Sequence, residues 1–182
     1  MILGAVLAGG QSSRFGSDKA LAEIDGHTLL ALAVDTLAGW CDHVVVVGRA
    51  VAPAPTLPDW PRPGMGPLGG IAAALRLATD EGYASVLTCG VDSLGLPENL
   101  LELLGAAPAC LRAQPIVGLW PAEASPTVEA LLHGEPPHSV YRLAELVGAR
   151  LVELDHIPAN VNTPEDLSDA ASLCERNGET DL

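Results

Sequence analysis

ILGAVLAGGQSSRFGSDKAL, residues 2–21, runs from an uncharged apolar segment straight into a polar, glycine-rich loop. Ile2 to Ala8 is short and stops at Gly9-Gly10, the pattern of a strand buried on both faces that feeds a turn. The opening lacks both a basic leading segment and a cleavage region, so it reads as a first strand rather than a secretion signal. The loop then gathers Arg14, Asp18 and Lys19 around Gly9, Gly10 and Gly16.

Outward from this stretch, the chain alternates. Leu29, Leu30, Ala33, Val34 and Leu37 repeat at helical spacing, and Val44 to Val47 is a β-branched run too short for a helix. A Pro-rich passage from Pro53 to Pro67 leads to a second apolar helix face at Leu68, Ile71, Leu75 and Ala78, and Ser85 to Cys89 reads as a third strand. Strand, helix, strand, helix, strand predicts a mainly parallel sheet with helices on both faces and ligands at the carboxyl ends of its strands. The second half is less regular. Helices are expected at Pro97–Leu104, Ser125–Leu132 and Val140–Val147, and strands at Cys110–Arg112, Ile116–Trp120 and Arg150–Leu154. Thr163-Pro164-Glu165-Asp166 reads as a capped helix start, and the tail after Cys174 is polar.

Composition sets bounds on function. The 182 residues suit one domain, and no apolar run is long enough to span a bilayer. Four separated cysteines without a C-x-x-C pair point to a reducing, cytoplasmic setting, with neither a zinc ribbon nor a redox motif. His133 and His138 flank a Pro-rich loop and read as surface residues rather than metal ligands. A net charge of −14 excludes a nucleic-acid or anionic-membrane surface. It leaves room for a small phosphorylated ligand in a local cationic pocket, and Lys19 is the sole lysine of the chain.

The loop matches neither the P-loop spacing nor the dinucleotide pattern Gly-x-Gly-x-x-Gly. It keeps the physical ingredients of both: glycines that bring backbone N–H groups close to an anion, and Arg14 and Lys19 to supply charge. The same composition also suits a plain surface turn. Its place after a central strand, together with the solitary lysine, favours phosphate.

L-A-G-G-x-S-x-R-x-G-x-D-K-A-L closely resembles the signature loop of the molybdenum cofactor guanylyltransferases, within the nucleotidyltransferase superfamily. Four further segments resemble family elements in the same order: Asp59 with Gly66-Pro67-Leu68 and Gly70-Ile71; LTCGVDSLGLP with Asp92; Gln114 to Trp120; and Asn160 to Leu167. Two positions depart from the usual pattern. Leu94 stands where proline is common, and Val47-Gly48-Arg49 stands where relatives often carry an asparagine.

The resemblance implies an α/β, single-domain, Rossmann-like three-layer nucleotidyltransferase fold over residues 1–174, with a mainly parallel, partly mixed sheet and a polar tail at 175–182. It implies that GTP lies along Leu7, Ala8, Gly9 and Gly10, that Lys19 neutralises its phosphates, and that Arg14 forks onto the departing pyrophosphate. Asp92 would hold Mg²⁺, Asp59 would contact the nucleotide, and Asn160 and Asn162 would face molybdopterin or cap the following helix. Trp120 reads as core rather than as a stacking platform. The implied reaction joins GMP to the terminal phosphate of molybdenum-molybdopterin and releases pyrophosphate, in a cytoplasmic monomer or weak oligomer that meets other molybdenum cofactor biosynthesis proteins. The alternatives are a cytidylyltransferase, a related enzyme with another phosphorylated acceptor, and a non-catalytic nucleotide-binding or interaction protein.

Overall fold

In a computed structural model, the structure describes residues 1–9 and 18–154 and the backbone of 159–160. Strand β1 (Ile2–Leu7) is buried from Leu3 onward. A short antiparallel ribbon, β2 (Glu23–Ile24) and β3 (His27–Thr28), leads into helix α1 (Leu29–Ala38). Thr28 caps that helix by accepting from the Ala31 N–H at 3.1 Å, which satisfies one of its orphan donors. Strand β4 (His43–Val47), edge strand β5 (Thr56–Leu57), helix α2 (Gly66–Glu81) and strand β6 (Ser85–Gly90) follow. The second half adds β7 (Ser93–Leu94), α3 (Leu100–Leu104), β8 (Ala109–Leu111), β9 (Gly118–Pro121), α4 (Ser125–His133), α5 (Val140–Leu146), β10 (Arg150–Val152) and β11 (Ala159–Asn160).

Seven strands make one sheet in the order β10-β8-β9-β6-β1-β4-β5. Strand β9 runs antiparallel to both of its neighbours, and the other pairings are parallel. Successive strand residues point to opposite faces, and this alternation divides the core in two. Leu3, Ala5 and Leu7 pack with α2, α4 and α5, while Val6 packs with α1 and α3 on the other face. The expected three-layer, mainly parallel, partly mixed α/β architecture is the one observed.

β1 has β4 on one side and β6 on the other, and the connecting helices α1 and α2 lie on opposite faces. Such a reversal opens a crevice at the carboxyl ends of the strands. Because β1, β4 and β6 are parallel, Ala8-Gly9, Gly48-Arg49 and Val91-Asp92 all emerge along that edge.

Several boundaries differ from the sequence reading, each for a local reason. The helix expected from Pro97 begins at Leu100, after a turn in which the Leu100 N–H donates to Pro97 O at 2.9 Å. The strand expected from Ile116 begins at Gly118, because Val117 N–H closes a turn onto Gln114 O at 2.9 Å. β8 is displaced by one residue from the expected Cys110–Arg112, β10 ends at Val152 rather than Leu154, and α5 ends at Leu146. The Thr163 helix start and the tail lie outside the described residues. No described helix is long and apolar enough to cross a membrane.

Trp120 is fully buried, as expected of core, and it ties β9 to the loop before it. Its indole N–H donates to Thr88 Oγ1 at 3.0 Å, and the Thr88 hydroxyl donates to Ile116 O at 2.7 Å. Thr88→Val removes this relay and leaves a buried indole N–H unpaired, which costs about 1–3 kcal/mol. Urea unfolding should show a lower midpoint for Thr88→Val and a smaller loss for Thr88→Ser; equal stability of Thr88→Val and wild type would contradict the relay.

Candidate active site

β6 ends at Gly90, and the chain turns at once. Leu94 N–H donates to Asp92 O at 3.1 Å, and Gly90 N–H donates to Ser93 Oγ at 3.3 Å. The Asp92 carboxylate folds back over Gly90 so closely that a Cβ at residue 90 would collide with Asp92 Oδ1, so a side chain there would push the carboxylate out of this position. Leu94, the departure from the usual proline, supplies an N–H that proline lacks, and the turn uses it.

Across the crevice, Asp18 starts a single 3₁₀ turn over Lys19–Leu21 and accepts from Ala20 N–H at 3.2 Å. That turn aims Lys19 at the β6 end, where its Nζ meets Asp92 Oδ2 at 2.8 Å. Both side chains are mostly withdrawn from water, at 12% and 26% exposure, so each charge depends on its partner for neutralisation. Two residues singled out separately in the sequence thus converge from 73 positions apart.

The residues after β4 hold both sides of the loop. Gly48 adopts φ +89°, and a Cβ there would stand 2.6 Å from Gly9 Cα, so the two backbones touch. Arg49 forks onto Asp18, with Nη1 to Oδ1 at 2.9 Å and Nη2 to Oδ2 at 2.6 Å. The Arg49 hydrogen bonds first, and its charge in addition, hold the Asp18 carboxyl below its ordinary value of 3.8 against the opposing effect of burial. Arg49 was noticed in the sequence only as a departure from pattern; nothing local marks its partner as a residue 31 positions earlier.

Asp59 sits against the same corner. A Cβ built on Gly9 would lie 3.4 Å from Asp59 Oδ2, so this carboxylate borders the loop backbone. Partial burial raises its pKa above 3.8, opposed by a hydrogen bond from the Gly64 backbone. Leu7 is buried in the sheet, while Ala8 N–H donates to Val47 O at 2.9 Å and extends the β1–β4 ladder by one step. Gly10, Arg14 and Asn162 lie outside the described residues. Asn160 belongs to β11, whose backbone pairs with β7 so that Asn160 is opposite Ser93, one residue from Asp92.

Mg²⁺ commonly takes one or two carboxylates together with substrate phosphates and water. Among the described residues no group of three or more His, Cys, Asp or Glu side chains could hold a metal ion. Asp92, as a single described carboxylate beside Lys19, fits a cation that takes its remaining donors from substrate and water. A cavity of about 430 Å³ opens beside Asp92 and Ser93 and continues past Gln114, Ile116 and Tyr141.

Residues 4–153 match the MobA-like NTP transferase domain. The chain belongs to this family. It is 37% identical over 182 residues to the molybdenum cofactor guanylyltransferase of Acidiphilium cryptum, covering 91% of each chain. The molybdenum cofactor guanylyltransferase of Rhodobacter capsulatus is 36% identical, with 97% of this chain and 98% of that one covered. Among solved structures, molybdopterin-guanine dinucleotide biosynthesis protein A from Archaeoglobus fulgidus superposes with a TM-score of 0.76 at 21% identity, over 97% of this chain and all of that one. That last likeness speaks for the fold.

The Asp18 shift carries a definite sign. A carboxyl whose pKa is depressed on folding contributes stability above its unfolded value near 3.8, and that contribution is lost as pH falls through the lower folded value. Carbon-13 titration of the Asp18 carboxyl should place its midpoint below 3.8 in the wild type and move it back up in Arg49→Ala. Identical midpoints would show that the pair does not persist in solution.

Proposed function

We propose that residues 1–174 form one nucleotidyltransferase domain that transfers GMP from GTP to the terminal phosphate of molybdenum-molybdopterin and releases pyrophosphate. The observation that carries this reading is the Lys19–Asp92 pair, closed at 2.8 Å at the carboxyl edge of a doubly wound sheet. The names of relatives at 36–37% identity support the choice of substrates.

Backbone from Leu7 to Gly9 lies along the nucleotide, with Asp59 at its base, and Gly10 is proposed to continue this contact. A carboxylate only accepts hydrogen bonds, and guanine offers ring N–H and amino donors on one edge, so Asp59 beside Gly9 suits guanine. Lys19 turns its ammonium toward the phosphates. Its three donors allow it to hold a phosphate oxygen while loosening its grip on Asp92. The Asp92 carboxylate, no longer neutralised, would then repel the triphosphate unless a cation joins it. Asp92 would hold Mg²⁺, whose charge would supply that neutralisation and polarise the phosphoryl oxygens.

A terminal phosphate oxygen of the acceptor attacks the α-phosphorus of GTP. The new P–O bond forms as the bond from the α-phosphorus to the bridging oxygen breaks, and pyrophosphate leaves with that electron pair. No side-chain base is required, because a phosphate monoester with a second pKa of ~6 is already largely ionised at neutral pH. The domain's part is to position the reactants and to stabilise charge. Lys19 stabilises the charge that builds on pyrophosphate; the same role is proposed for Arg14, and contact with the acceptor for Asn160 and Asn162. The loop is held for this work by Gly48 against Gly9 and by Arg49 on Asp18.

Pyrophosphate release measured with purified molybdopterin and each of the four nucleoside triphosphates should favour GTP and require Mg²⁺. Preference for CTP would overturn the guanylyl assignment, and GTP binding without turnover would overturn catalysis. Lys19→Ala and Asp92→Asn should each lower kcat by roughly 100-fold or more, the scale of losing one charge-stabilising group. Unchanged turnover in either variant would remove that residue from the site.

A further inference from the structure

The 430 Å³ cavity beside Asp92 falls within the ~300–1,000 Å³ range of small-molecule sites. Its walls come from three places: Pro67 and Leu68 at the start of α2, the turn from Ala113 to Ile116, and the segment from His138 to Tyr141 that opens α5. Asp92 and Ser93 complete its lining. Whatever fills it therefore lies beside the carboxylate that pairs with Lys19.

The wall carries a planar group suited to a planar ligand. The chain has only six Phe, Trp and Tyr residues, and Tyr141, at 54% exposure, is the one exposed aromatic among the described residues. An exposed ring would ordinarily sample several rotamers. Here the Tyr141 hydroxyl donates to Arg112 O at 2.8 Å, which pins the ring at the cavity wall. Arg112 directly follows β8, so the platform is braced by the sheet through backbone. His138 Nε2 meets Gly134 O at 3.0 Å; a carbonyl only accepts, so Nε2 donates there and Nδ1 is the ring nitrogen left to address a ligand. Gln114, which also lines the cavity, brings an amide with both donors and acceptors.

Resting on the transferase reading above, we propose that this cavity is the subsite for the acceptor's fused-ring heterocycle, with Tyr141 as the stacking platform and Gln114 and His138 addressing the ring edge. A flat, nitrogen-rich ring with a phosphate at the end of a short arm matches a lining that holds both Tyr141 and Asp92. The ring lies against Tyr141, and the phosphate reaches Asp92 and Lys19. The β7–β11 pairing supports the same direction independently, since it brings Asn160 opposite Ser93, a residue of the cavity lining.

Steady-state kinetics with molybdopterin and GTP test the assignment. Tyr141→Leu keeps bulk but removes the flat face, and should raise the acceptor KM at least tenfold while the GTP KM stays within twofold. Tyr141→Phe retains the ring and should recover most of the affinity, an outcome that a merely structural hydroxyl would not give. Ala113→Phe, a change at an exposed cavity wall, should block the same subsite with the same selectivity and serves if Tyr141→Leu fails to fold. An unchanged acceptor KM in Tyr141→Leu or, where that variant does not fold, in Ala113→Phe would overturn the subsite while leaving the transferase reading intact. A wild-type protein that binds GTP but never modifies molybdopterin would overturn both.

Discussion

Two opposite charges, Lys19 and Asp92, meet at 2.8 Å in a place where water is largely excluded. Neither would be stable there alone, because a half-buried charge without a partner loses hydration that nothing repays. The arrangement of the edge follows from this requirement. Glycine at position 90 lets the Asp92 carboxylate fold back over the strand end, and the 3₁₀ turn after Asp18 brings the lysine across. A site that must exchange one charged partner for another is well served by such a pair, since each charge is already held in position when substrate arrives.

The surrounding frame keeps that pair in register. Parallel pairing of β1 with β4 and β6 sends three loops to one edge, and Gly48 packs backbone to backbone with Gly9. The Arg49–Asp18 fork then anchors the residue immediately before Lys19. Bidentate geometry fixes angle as well as distance, which a single ammonium contact would not. In a protein of net charge −14, the sole lysine and this arginine stand at the same edge, each held by a carboxylate that a bound phosphate could replace.

Much of the fold was legible because apolar runs report burial directly. β1, β4, β6 and the inner faces of α1 and α2 were readable from their residues, as was Trp120 as core. The edge strand β5 was hidden, since Thr56-Leu57 lies inside a Pro-rich passage and is held by only two pairs, Val46 with Thr56 and Val47 with Leu57. The β2–β3 ribbon does carry a sequence signal: Asp25-Gly26, both at positive φ, is the dipeptide a tight hairpin demands. For the site, residue identities were visible and their convergence was not. Lys19 and Asp92 stood out as types at plausible strand ends, yet their pairing, like Arg49 with Asp18, depends on which strands become neighbours. Tyr141 was invisible for the same reason, because its value lies in the cavity that three distant segments enclose.

The central claim is that nucleotide phosphates dock on Lys19 at the Asp92 pair, and the single lysine permits a direct test. With lysine carbon-13 labelled at the ε-methylene, the protein should show one side-chain resonance. Adding GTP with Mg²⁺ should shift it in a saturable way, with a clearly different response in Asp92→Asn. A resonance that stays in place while GTP binds would contradict the account.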